Sequence, residues 1–135
     1  MAKSAKKILL LEDNDDVRKL LTFMKRLGYK VFEAATGLEA IDLASRVQPD
    51  LIMVDLRLPE MNGVEATVRL KANPSNRDTP LLVITASGAG IDTRRALDAG
   101  AAEILHKPID VTTLSSVLRR YLSPRSTTRR STRKK

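Results

Sequence analysis

Glu12, Asp13, Asp55, Thr85 and Lys107 share one kind of place in this chain, the point at which a short apolar run ends. Glu12 and Asp13 follow Ile8–Leu11, Asp55 follows Leu51–Val54, Thr85 follows Leu81–Ile84, and Lys107 lies in or just after Ala102–Leu105. Brought together, the three carboxylates would repel one another and take up protons unless a divalent cation sat among them. Oxygen ligands without His or Cys favour a hard ion such as Mg2+. A carboxylate held there can itself attack a phosphoryl group and form an acyl phosphate, provided cations neutralise the charge that accumulates. Mg2+ and Lys107 would supply that charge. The Thr85 hydroxyl would bond a phosphate oxygen and so report its presence.

Taken singly, each residue has an ordinary reading. Asp13 can start a helix, as can Asn14, Asp15 or Asp16; Asp55 can begin a turn; Thr85 can be a structural hydroxyl and Lys107 a surface charge. The weight lies in their coincidence at the ends of apolar runs, so the elements that carry those runs decide the matter.

The runs Ile8–Leu11, Leu51–Val54 and Leu81–Ile84 have strand length and no polar alternation, with weaker strand candidates at Tyr29–Ala34 and Ala102–Leu105. Helical spacing fills the gaps. Val17, Leu20, Leu21, Met24 and Leu27 form one apolar stripe with Gly28 as its stop, and Leu114, Val117, Leu118 and Tyr121 form another. Thr36-Gly-Leu-Glu39 reads as a capping box ahead of Leu38, Ile41 and Val47, and Asn62-Gly-Val-Glu65 as a similar start for a helix through Leu70. A further helix is expected over Ile91–Asp98, with Gly88-Ala-Gly90 as a flexible lead into it, and a loop over Ala72–Thr79 with Pro74 and Pro80. Five strands alternating with five helices predict a doubly wound α/β domain with a parallel sheet covered on both faces. Such sheets carry functional groups beyond the carboxyl ends of their strands, where the five residues stand.

Composition narrows the function. A length of 135 residues suits one domain, and 42% hydrophobic with 30% charged residues is globular. No apolar run approaches the roughly 20 residues of a membrane span. The absence of cysteine excludes disulfides, thiolate metal sites and cysteine nucleophiles, and MAKSAKK lacks the apolar stretch of a secretory signal, so a cytoplasmic location is expected. The net charge of +8 sits at the ends: Lys3, Lys6 and Lys7 at one, Arg125, Arg129, Arg130, Arg133, Lys134 and Lys135 at the other. Without those nine charges residues 8–122 carry −1. The segment 123–135, SPRSTTRRSTRKK, has nothing to bury and is expected to be a disordered basic tail.

Residues 6–122 closely resemble a response-regulator receiver domain of two-component signalling, of the single-domain type. The matching residues are Glu12-Asp13, Val54-Asp55 followed by Leu58-Pro59-Glu60-Met61-Asn62-Gly63, Thr85-Ala86, Ala99-Gly100-Ala101 and Lys107-Pro108. The resemblance implies a flavodoxin-like five-stranded sheet of order 2-1-3-4-5. It implies Asp55 as the residue phosphorylated by a histidine kinase or histidine phosphotransfer protein, with a downstream protein reading the changed surface. It also implies Mg2+ held by Asp13, Asp55 and the Arg57 carbonyl, with Glu12 acting mainly through water, and a cis Lys107-Pro108 bond. The resemblance implies a phosphorylation-regulated switch rather than an enzyme, one expected to catalyse its own phosphoryl transfer and slow dephosphorylation.

Two features depart from that pattern. Ile104 stands where the family usually has an aromatic residue three before the lysine, and Arg57 and Ser87 occupy positions that influence phosphate lifetime. His106 matches no functional position and reads as structural or exposed. Rival functions fit less well. A haloacid-dehalogenase-like phosphatase needs a general acid two residues after its nucleophile, where this chain has Arg57. A nucleic-acid-binding role rests on the basic tail alone, since the rest is nearly neutral and poor in aromatic residues for base stacking. An unphosphorylated interaction module would have a broken acidic site, whereas all five positions are intact.

Overall fold

The structure, a computed structural model, describes residues 5–12, 18–57, 61–86 and 90–122. Strands and helices alternate through them: β1 Lys7–Leu11, α1 Arg18–Arg26, β2 Lys30–Ala34, α2 Gly37–Val47, β3 Leu51–Asp55, α3 Gly63–Ala72, β4 Leu81–Thr85, α4 Gly90–Asp98, β5 Glu103–His106 and α5 Val111–Leu122. All four strand pairings are parallel, in the order β2-β1-β3-β4-β5. The expected doubly wound sheet is therefore present. No helix among the described residues is long and apolar enough to cross a membrane.

The unalternated apolar runs are explained by burial from both sides. Along β1, β3 and β4, side chains alternate between two cores. Ile8, Leu10, Leu51, Met53, Leu82 and Ile84 face α1 and α5, meeting Leu20, Leu21, Met24, Leu114 and Leu118. Leu9, Leu11, Ile52, Val54, Leu81 and Val83 face α2, α3 and α4, meeting Ala40, Ala44, Ala66, Leu70 and Ala96. Withdrawing each large side chain from water contributes about 1.5–3 kcal/mol. The edge strands β2 and β5 are only partly buried, which accounts for their weaker sequence signal.

Several boundaries and faces differ from expectation. The α2 stripe was expected on Leu38, Ile41 and Val47, but Leu38 is 57% exposed and the fully buried positions are Ala40 and Ala44. Small side chains let that helix approach the sheet closely. Leu27 lies outside α1 and is half exposed, because the chain turns at Gly28, whose φ of +100° favours glycine. Strand β5 runs one residue later than expected and includes His106, which is exposed. Helix α5 starts earlier, at Val111, where the Asp110 carboxylate accepts from Thr113 N at 2.7 Å and caps it.

The two capping boxes form to different extents. At α2, Thr36 Oγ1 accepts from Glu39 N at 3.1 Å, and the Glu39 carboxylate accepts from Ala35 N at 2.8 Å. At α3, Asn62 Oδ1 accepts from Glu65 N at 2.9 Å, while the Glu65 carboxylate pairs instead with Arg69. That box is half made.

The segment expected as a loop over Ala72–Thr79 contains the end of α3 and one 3-10 turn, Pro74–Asn76, started by the Asn73 side chain with proline in its first turn. Lys71 holds it. Its ammonium donates to the carbonyls of Asn76, Arg77 and Thr79 at 2.9, 2.9 and 2.7 Å. Lys71→Met keeps the stem and removes the donors, and is expected to lower stability by about 1–2 kcal/mol, as for partly exposed charge-assisted hydrogen bonds. Urea denaturation measures it; an unchanged midpoint would show that water serves those carbonyls equally well.

Candidate functional site

Because the strands are parallel and nearly in register, their carboxyl ends lie at one edge of the sheet. Leu11 of β1 pairs in register with Val54 of β3, and Asp55 pairs with Ile84 of β4. Glu12 and Asp55 therefore emerge side by side, and Thr85 ends the strand next to Asp55. On the far side of β4, Thr85 pairs with His106, and the Lys107 N–H donates to Thr85 O at 2.8 Å. That bond fixes the point from which the Lys107 side chain crosses back over β4.

Its ammonium reaches Asp55 Oδ2 at 2.7 Å and lies 3.9 Å from Glu12 Oε1. The pairs are well shielded: side-chain exposure is 6% for Asp55, 5% for Glu12 and 15% for Lys107. Asp55 Oδ1 accepts from the Arg57 backbone N–H at 2.8 Å, so both carboxylate oxygens are held. Burial, the largest single influence, pushes the Asp55 carboxyl up. Hydrogen bonds with Glu12, Lys107 and the Arg57 amide, together with the Lys107 charge, outweigh it and hold Asp55 below its ordinary range. An anionic, oriented carboxylate is the form a nucleophile requires.

Glu12, Asp55 and Lys107 are thus brought together as expected, with Thr85 buried at the end of the neighbouring strand. Asp13 and Ser87 lie outside the described residues, as do Leu58-Pro59-Glu60 and the tail from 123. The Arg57 residue is exposed, and its contribution to the described contacts is its backbone amide. The Lys107-Pro108 bond is cis. Ile104 is half buried and packs on the α2–α3–α4 side. Sequence reasoning overlooked the Arg57 amide and a close approach by Gly63. Asn62-Gly63 after β3 was the available signal for the latter, since glycine beside a helix cap allows close backbone approach.

The donor set suits Mg2+. Glu12 and Asp55 are buried carboxylates that both face the single Lys107 ammonium, and a hard cation beside them would balance the remaining negative charge. Among the described residues no cluster of three or more His, Cys, Asp or Glu forms.

The response regulator receiver domain family matches residues 8–119. The chain belongs to this family. This receiver domain is 35% identical over 118 residues to the polar-differentiation response regulator DivK of Brucella ovis, an alignment covering 87% of this chain and 96% of the relative. Among solved structures, it resembles the chemotaxis protein CheY4 of Vibrio cholerae with a TM-score of 0.82 at 28% identity, covering 88% of this chain and 100% of the other. It resembles the receiver domain of the sensor histidine kinase PA1611 of Pseudomonas aeruginosa with a TM-score of 0.79 at 34% identity, covering 87% and 98%; that structure holds a magnesium ion coordinated in its active site cleft. Receiver domains are phosphoacceptor switches of two-component signalling that partner with kinases or phosphotransfer proteins, and the family typically binds Mg2+.

Proposed function

We propose that Asp55 of this receiver domain accepts a phosphoryl group from a histidine kinase or histidine phosphotransfer protein, and that the modified domain presents a changed surface to a downstream protein. The observation that carries the proposal is the buried Lys107–Asp55 pair at 2.7 Å, with Glu12 alongside. One Asp55 oxygen attacks phosphorus, the new O–P bond forms as the P–N bond to the donor imidazole breaks, and the departing nitrogen keeps the electron pair and takes a proton. The Lys107 ammonium follows the charge from the carboxylate onto a phosphoryl oxygen, and the Thr85 hydroxyl donates to another. Glu12, Asp13, Asp55 and the Arg57 carbonyl would hold Mg2+, which supplies the remaining positive charge when bound.

We take 6–122 as the receiver unit and 123–135 as a basic segment outside it; the family match over 8–119 and the elements from Lys7 to Leu122 support the first part of this reading. Signalling without a rotating aromatic at Ile104 would proceed by movement of the segment after Thr85, since a branched aliphatic side chain has no polar tip to exchange between inside and outside. After phosphorylation, amide shift changes are expected in α4, β5 and α5. Changes confined to residues around Asp55 would remove this relay.

The central test uses a small phosphodonor and intact-mass measurement. One phosphoryl group should be gained with Mg2+ present, and chelation of Mg2+ should slow uptake by about 10²-fold or more, as expected when a cation at the transferring group is lost. Mg2+-independent uptake at the same rate would remove the cation from the proposal.

A further inference from the structure

We propose that Gly63 is a positioning residue for the phosphoacceptor: the first turn of α3 is seated against the Asp55–Leu56 backbone so closely that only glycine leaves those two residues where they are. The inference rests on the reading of Asp55 as acceptor. A Cβ on Gly63 would stand 2.6 Å from Asp55 O, 2.6 Å from Leu56 Cα and 3.1 Å from Asp55 C. All three are backbone atoms of the acceptor segment, so no flexible side chain can swing away.

The helix side of this contact is not free to retreat. Gly63 N donates to Leu56 O at 2.8 Å, and the buried Thr67 hydroxyl donates to Gly63 O at 2.8 Å. Asn62 caps the same turn, and Ala66 and Leu70 are buried one and two turns later. Strand β3 is paired on both edges, to β1 and β4. The displacement therefore falls on the chain as it leaves the strand, Asp55 to Arg57, where Leu56 N donates to Ile84 O at 2.9 Å. That segment carries the acceptor carboxylate, the Arg57 N–H that holds Oδ1, and the Arg57 carbonyl.

Opening the contact from 2.6 Å to the 3.4 Å of ordinary packing moves these groups by about 0.8 Å. A displacement near 1 Å costs on the order of 10²-fold in a reaction that depends on alignment. Gly63→Ala is therefore expected to slow Asp55 phosphorylation by about 10- to 100-fold and to shift the Leu56 and Arg57 amide resonances before any donor is added. Gly28→Ala is the control. Its φ of +100° also strains an alanine, but it has nothing within 4 Å and lies between α1 and β2, at the opposite edge of the sheet.

Rates are measured by intact mass with a small phosphodonor and saturating Mg2+, on protein shown by circular dichroism to be folded. A loss for Gly63→Ala at least three times that for Gly28→Ala, with the amide shifts, supports the inference. A smaller difference, or unshifted amides, overturns it. If Gly63→Ala does not fold, Thr67→Val decides by the same threefold criterion, because it removes the side-chain bond to the Gly63 carbonyl while keeping the side-chain shape. Failure of the unsubstituted protein to take up phosphate at all would instead remove the reading of Asp55 on which the inference rests.

Discussion

Asp55→Asn is expected to gain no phosphoryl mass under conditions in which the unsubstituted protein is modified to completion. The substitution nearly conserves size but replaces the nucleophilic oxygen with an amide, whose lone pair is delocalised. Thr85 and Glu12 remain nearby, so the variant also asks whether either can substitute. An acyl phosphate is cleaved by hydroxylamine at neutral pH, whereas a phosphate on a hydroxyl is not. Phosphate retained after hydroxylamine, or uptake by Asp55→Asn at the unsubstituted rate, would place the acceptor elsewhere. A pH signature accompanies the change. Asp55 titrates below its ordinary 3.8 in the folded state, so its contribution to stability is present above that value and is lost as pH falls through the lower folded-state value. The amide does not titrate. Without Mg2+, Asp55→Asn should lose less stability than the unsubstituted protein as pH falls below about 3.8.

The site was legible in the sequence because a parallel sheet converts a one-dimensional pattern into a place. Residues at the carboxyl ends of parallel strands must gather at one edge: Glu12, Asp55 and Thr85 end or follow unalternated apolar runs, and Lys107 follows the weaker run of β5. Edge strands gave less, since β2 and β5 need only half an apolar face, and the β5 boundary fell one residue away from its expected place. Contacts that depend on three-dimensional proximity left no periodic trace. The three carbonyls held by Lys71 are separated from it by loop geometry, and Val111-Thr-Thr shows no helical stripe until Asp110 is seen capping it. The Glu65 carboxylate satisfied two sequence rules at once, capping and pairing with the residue four later, and the exposed Arg69 took it. Gly63 read only as part of a helix start, and only the 2.6 Å approach to Asp55 O shows why a side chain is excluded there.

Lys107→Met is expected to move phosphorylation and Mg2+ affinity in opposite directions. The ammonium at 2.7 Å from Asp55 and 3.9 Å from Glu12 is the charge that allows both carboxylates to stay buried. Removing one partner of such a group leaves uncompensated charge and costs about 3–5 kcal/mol unless a proton or a cation replaces it. Two consequences follow from the same electrostatics. Mg2+ no longer competes with a fixed cation for the same oxygens, so its affinity rises and added Mg2+ raises the unfolding midpoint of the variant more than that of the unsubstituted protein. The transferring phosphoryl group, however, loses a preorganised donor, and removal of one such donor costs about 10²–10³-fold in rate. Saturating Mg2+ should therefore restore stability without restoring the rate, because a cation between the carboxylates cannot also stand where the Lys107 ammonium follows the moving charge. Full recovery of phosphorylation at high Mg2+ would show that Lys107 serves only to neutralise the resting site.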